Sequence, residues 1–179
     1  MEQSLKTNML RNGDKFLYNF SMNDIYSILD KLGIAYKKYE HPAVFTVEEA
    51  KKLDTGSGSY NKSIFLRNQK ESNFYLVLTL GSKRLNLKSL AVFLNDSKLS
   101  FTSPEKMMKY LGVTPGSVSV FGLINDVDKV VRVIVDEELL KFDKQGYHPN
   151  INTATLIIST EDLKKFLTWT GNKVTYKSL

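Results

Sequence analysis

Apolar positions along the chain recur at helical spacing in some segments and run almost unbroken in others, so helices and strands alternate. Ile25, Ile28, Leu29 and Leu32 share one helical face, with Ser21 as N-cap, Asp24 three residues on and Gly33 as the stop. Ile34 to Tyr39 reads as a strand that His41-Pro42 breaks. Thr46-Val47-Glu48-Glu49 matches a capping box and predicts a helix through Leu53, followed by a loop from Asp54 to Ser59. Ser63 to Leu66 and Phe74 to Leu80 predict a pair of strands whose continuous apolarity implies cover on both faces. Leu85, Leu87, Leu90, Phe93 and Leu94 outline one helix; Ser103-Pro104 opens another, with Met107, Met108 and Leu111 inward and Gly112 as its stop. Val130 to Val135 is a predicted strand, and Asp136 can cap a short helix through Leu140. Gln145 to Thr153 reads as a polar turn at the edge or end of a sheet, feeding the apolar run Leu156 to Ile158. Ser159 caps a last helix with Leu163, Phe166 and Leu167 inward until Gly171, and Val174 to Tyr176 predicts a final edge strand. Residues 1–20 show no clean period and read as an arm or short extra helix ahead of one mixed α/β domain over residues 21–179.

Composition narrows this picture. The 179 residues suit one domain with a real core, and 42% hydrophobic with 25% charged residues argues against disorder. The absence of cysteine removes thiol nucleophiles, disulfides and thiolate metal sites together, and suits the cytoplasm. No apolar run reaches the roughly 20 residues of a membrane span. The formal charge of +6 favours a polyanionic partner such as RNA, and fits a lysine-rich solvated surface equally well.

Four stretches place polar groups beside a strand end. Lys62, just ahead of a buried strand, can aim an ammonium at a phosphate or carbonyl; read singly, it is a solvated strand-end lysine. Gly81-Ser82-Lys83-Arg84 sets adjacent cations on a turn, suited to phosphate or simply to the surface. Gly112 to Gly122 is a glycine-proline loop whose N–H groups could cradle an oxyanion, or only turn the chain. Gln145 to Leu156 contains His148, whose imidazole can accept a proton from water near neutral pH, or can merely brace its turn. His41 leads into a predicted capped helix and has the structural role. Two histidines without HxxxH spacing do not make a zinc site, and neither GxSxG, a Walker loop nor GxGxxG is present.

Taken in order, Glu40 to Ala50, Lys62 to Arg67, Lys83 to Leu87, Gly112 to Leu123 and His148 to Leu156 resemble the YbaK-like aminoacyl-tRNA editing domains. They are most similar to free-standing relatives of the prolyl-tRNA synthetase insertion domain, the alanyl-tRNA(Pro) deacylases called ProX or PrdX. The resemblance spans about residues 22–170 and implies a compact domain with a central mixed β-sheet flanked by helices. It implies hydrolysis of the ester joining alanine to a mischarged proline tRNA, with no cofactor and no metal. In that family the lysine matching Lys62 is the residue most tied to activity, and the loop matching Gly112 to Gly116 lines the pocket together with the histidine matching His148. Thr114, Pro115, Ser117, Asn150, Asn152 and Thr46 are then expected to line the substrate, and Lys83 and Arg84 to meet tRNA. The implied partners are the acceptor end of mischarged tRNA(Pro) and, as a further candidate, prolyl-tRNA synthetase; no membrane is involved. One departure stands out: relatives often have asparagine immediately after the lysine, whereas this chain has Ser63 there and Asn61 on the other side. A deacylase for another charged tRNA, such as cysteinyl-tRNA(Pro), and a non-catalytic binding module are the rival readings.

Overall fold

The computed structural model describes residues 22–43 and 61–179. The residue 1–20 arm, the Ser21 cap, the Thr46 capping box with its helix, and the loop from Asp54 to Ser59 lie outside the described residues. The first helix, α1 (Met22–Lys31), ends where Gly33 takes φ 62°. Ile34 N–H then bonds back to Leu29 C=O at 2.9 Å, so Ile34 belongs to the helix stop, and strand β1 starts only at Lys37 (Lys37–Glu40).

Strands β2 (Asn61–Asn68) and β3 (Phe74–Leu80) form the expected hairpin, with Lys62 opposite Thr79. Because β2 begins two residues earlier than its apolar run suggests, Lys62 lies inside the strand rather than ahead of it. Helix α2 (Leu87–Phe93) starts late because the Asn86 side chain accepts from the N–H groups of Lys88 and Ser89, which fixes the N-cap at that residue. Strand β4 (Leu99–Phe101) and helix α3 (Pro104–Leu111) follow; α3 is capped by Ser103 and closed by Gly112 at φ 65°. A 3-10 helix spans Val120–Asn125, β5 is Val131–Asp136, and Asp136 caps a 3-10 turn at Glu137–Lys141. Strands β6 (Lys144–Tyr147) and β7 (Ala154–Ser159), helix α4 (Thr160–Thr170) and strand β8 (Val174–Lys177) complete the order. Gln145 to Tyr147, expected in a turn, are thus a strand: the polar Gln145 is fully buried and hydrogen-bonded, which residue polarity alone conceals.

The strands divide between two sheets. One is mixed, in the order β4-β2-β3-β5-β8, with β3, β5 and β8 parallel; β8 is its edge, as expected. The other is antiparallel, β1-β7-β6. Strand alternation sorts the mixed sheet into two covered faces. Phe65, Phe74, Leu76, Leu78, Val133 and Val135 join the main core with Leu156, Ile158 and Tyr147 of the second sheet, Phe121, and Phe166 of α4. Leu66, Tyr75, Val77 and Ile134 face the opposite way, against Leu90 and Ala91 of α2 and Leu99 of β4. No helix among the described residues is long and apolar enough to cross a membrane.

Candidate active site

The parity of β2 decides where its polar residues point. Lys62 lies on the face of Ile64 and Leu66, whereas its neighbours Asn61 and Ser63 lie on the face of Phe65, toward the main core. The Lys62 ammonium donates to Gly81 C=O at 3.1 Å and to Lys83 C=O at 2.6 Å, so the turn after β3 fixes its position. That turn closes with Lys83 N–H on Leu80 C=O at 3.1 Å. Lys83, expected to meet tRNA, has its charge engaged inside the protein. Its ammonium lies 2.8 Å from Asp136 Oδ2 and 3.2 Å from Glu138 Oε2, and donates to Leu179 C=O at 2.7 Å. Arg84 beside it is exposed.

The Gly112 loop is more structural than its sequence suggests. The Gly112 and Val113 N–H groups bond to Met108 and Met107 C=O of α3. A Cβ on Gly112 would stand 2.6 Å from Asn125 Nδ2, and that amide also bonds to Leu111 C=O at 2.8 Å. Thr114 to Ser117 form a turn, with Ser117 N–H on Thr114 C=O at 3.0 Å and Gly116 at φ 87° after Pro115, the pattern of a type II turn. Thr114 and Pro115 are exposed and Ser117 is buried. Among the described residues, the N–H groups of Thr114 and Gly116 take no part in these bonds.

The connection between β6 and β7 contains the histidine site. His148 Nδ1 is 2.8 Å from Ala154 C=O; a carbonyl only accepts, so Nδ1 holds the proton and Nε2 the lone pair. Burial, with the nearby His41 ring adding to it, pushes the His148 pKa below its ordinary 6.5 against the opposing pull of that carbonyl, which favours the neutral ring. His41, assigned a structural role from its sequence, stands against it: the ring centroids are 5.9 Å apart, His41 Nδ1 donates to Pro42 C=O at 2.9 Å, and His41 Nε2 is hydrogen-bonded to Thr155 Oγ1 at 2.9 Å. Asn150 takes φ 63° and donates to Phe121 C=O at 3.4 Å, while its Oδ1 is buried with no hydrogen-bond partner among the described residues. Asn152 is half-buried in the same connection, and Thr46 lies outside the described residues.

One further polar residue here is not among the expected site residues. Asn61 sits beside the Tyr147 hydroxyl, yet its Nδ2 is buried and, among the described residues, makes no hydrogen bond of good geometry. The Tyr147 proton goes to Gln145 Oε1 at 2.6 Å, and Gln145 Nε2 donates to Thr160 Oγ1 at 2.9 Å and Leu139 C=O at 3.0 Å. Burial drives the Tyr147 pKa well above its ordinary value, so the hydroxyl stays protonated. A buried amide donor without an acceptor is costly unless a ligand completes it. Because positions on either side of Lys62 face the same way, asparagine before the lysine faces the same side as asparagine after it, one pleat further along the strand. A groove of about 430 Å³ between β1 and α4, lined by Tyr36, Tyr39, Lys144 and Asp162, contains none of the expected site residues.

A five-stranded sheet covered on both faces, a three-stranded sheet packed against it, a lysine tied to the β3 turn and a largely buried histidine define a mixed α/β domain with polar groups gathered at its strand ends. The model of the aminoacyl-tRNA editing domain matches residues 41–166, and the chain belongs to that family. It is 40% identical over 152 residues to the prolyl-tRNA editing protein ProX of Acetoanaerobium sticklandii, covering 84% of this chain and 92% of that protein. It is 32% identical over 149 residues to prolyl-tRNA synthetase associated domain-containing protein 1 of Mus musculus, covering 80% and 88%. A crystal structure described as a candidate trans-editing enzyme for prolyl tRNA synthetase shares the fold, with a TM-score of 0.66 at 22% identity over 88% of this chain and 96% of that one.

Proposed function

We propose that the protein is a trans-editing deacylase that hydrolyses the aminoacyl ester of mischarged tRNA(Pro), with alanine as the preferred acyl group. The observation behind this is the 40% identity, over nearly its full length, to a protein named for prolyl-tRNA editing. The local chemistry agrees. An aminoacyl ester is already activated, so water must be positioned and the developing oxyanion stabilised, and the route requires neither a metal nor a cofactor. Water adds to the ester carbonyl carbon while His148 Nε2 takes its proton. The tetrahedral oxyanion is met by N–H donors of the Thr114 to Gly116 turn. The bond to the ribose oxygen then breaks, and that oxygen takes the proton back from His148, releasing free amino acid and tRNA. Lys62 anchors the charged or phosphate end of the substrate, Ser117, Asn150 and Asn152 line it, and exposed Arg84 meets the tRNA backbone. Proline is rejected because a pocket closed by packing excludes a larger ring more readily than a smaller group. The reaction belongs to the cytoplasm, where charged tRNA is used, and prolyl-tRNA synthetase is the natural second partner.

Deacylation of alanyl-, cysteinyl- and prolyl-tRNA(Pro) by the purified protein tests this reading. Alanyl-tRNA(Pro) is cleaved fastest and prolyl-tRNA(Pro) is spared, and Lys62→Ala lowers the rate by at least about a hundredfold with the fold intact. Faster cleavage of the cysteinyl ester would replace the substrate; binding without cleavage of any of the three would make the protein a binding module.

A further inference from the structure

Asp136 is fully buried, and a carboxylate there must be paired and hydrogen-bonded to remain charged. It accepts from the Thr79 hydroxyl at 2.8 Å and from Glu138 N–H at 3.2 Å, and holds the Lys83 ammonium at 3.0 and 2.8 Å from its two oxygens. Burial works to raise its pKa, but the Lys83 and Thr79 contacts outweigh that and hold it below the ordinary carboxylate value. The backbone of the same Lys83 accepts from Lys62 Nζ at 2.6 Å. One continuous set of bonds therefore runs from a rigid strand end, through the Lys83 side chain to the Lys83 carbonyl, and on to the Lys62 amine. Thr79 lies opposite Lys62 in the ladder, so β3 buttresses both ends of the set.

We propose that Asp136 is a positioning residue for Lys62, acting through Lys83. The inference rests on the reading above that Lys62 serves the deacylation. Lys83 is then a brace rather than a phosphate contact, and the salt dependence of tRNA binding comes from other cations such as Arg84. Loss of the brace frees the Gly81 to Lys83 turn, and with it the carbonyls that aim the Lys62 amine. A misplacement of about 1 Å at a reacting centre costs up to about a hundredfold in rate.

The experiment compares wild type, Lys83→Met, Asp136→Asn, the double variant Lys83→Met/Asp136→Asn, and each combined with Lys62→Ala, using the full chain and alanyl-tRNA(Pro). The double variant removes both charges at once, so no unpaired buried charge threatens its folding. The expected result is a loss of kcat/KM of at least about tenfold in all three brace variants, with no further loss once Lys62 is alanine. Unchanged kcat/KM would overturn the proposal. So would a loss that persists in full on the Lys62→Ala background, which would make Lys83 act independently of Lys62, as a direct tRNA contact does. A second readout needs no turnover: reductive methylation of Lys62 relative to the other lysines, read by mass spectrometry, rises at least about threefold in the double variant if the brace holds the amine. An unchanged ratio overturns the brace even if the deacylase reading fails, and absent turnover in wild type identifies failure of that reading instead.

Discussion

Two carboxylates at opposite ends of β3 use the same face of the same sheet in different ways. Asp96, near the hairpin end, accepts from Asn68 and Asn73 amides at 2.9 and 2.8 Å, the Tyr75 hydroxyl at 2.5 Å and Ser97 N–H at 2.7 Å. All four donors are neutral, and they tie the hairpin turn to the loop after α2. Burial opposes ionisation there, but the Tyr75, Asn68 and Asn73 donors win and hold Asp96 well below the ordinary carboxylate range; burial, with Asp96 beside it, pushes Tyr75 up to about 12. Asp136, at the other end, holds an ammonium whose backbone in turn orients a second lysine. A ring of neutral donors fixes a loop; a charged chain fixes a cation. The first is a matter of stability, the second of both stability and chemistry.

The largest expected effect lies outside both carboxylates, in the histidine chemistry that neither of them touches. His148→Ala lowers kcat by about a hundredfold or more if Nε2 transfers a proton. A loss of tenfold or less, about 1.4 kcal/mol, reassigns it to placement of water. In wild type the acid limb of kcat/KM falls below the ordinary histidine value of 6.5, since the neutral, active ring persists to lower pH when its pKa is depressed. His41→Gln moves that limb upward, because one of the groups disfavouring the imidazolium is gone.

Next in size, Asp96→Asn costs about 2–3 kcal/mol in urea unfolding while kcat of the folded enzyme is unchanged. Its folded-state pKa is lowered, so the stability it contributes is present above the unfolded value of 3.8 and is lost as pH falls through the folded one. The wild type should therefore lose stability below that value more steeply than the variant. An Asp96→Asn protein with reduced kcat would erase the contrast with Asp136. Smallest is Arg84→Ala, which raises KM a few-fold and lowers the salt slope of tRNA binding by about 0.7 to 0.9, with kcat retained. An unchanged slope removes Arg84 from the tRNA path.

Sequence reading succeeded where a single local rule decides the outcome. The apolar run of β3, the Ser103-Pro104 start and Gly112 stop of α3, and the Ser159 cap of α4 each follow from short-range chemistry. The family was also legible, because five motifs fall in one order. What could not be read was orientation. A shift of two residues in the start of β2 moves Lys62 from a free strand end into the ladder, and no local signal marks that start. Gln145 looks like turn material until Leu139, Tyr147 and Thr160 are brought around it. Asp136 was visible as a helix cap, but its bond to Lys83 spans 53 positions and leaves no trace in spacing. His41 looked structural beside Pro42, and only the β1–β7 pairing brings it to His148.

The alternation that puts Asn61 and Lys62 on opposite sides of β2 also limits how this protein can change length over evolution. A single-residue deletion inside the β2–β3 pairing would exchange the two residues' faces, sending the ammonium toward Tyr147 and the amide toward Asp136. Insertions and deletions in β2 are therefore tolerable only in pairs, or where a bulge restores phase. An amide that migrates along this strand in descendants should appear at alternate positions only.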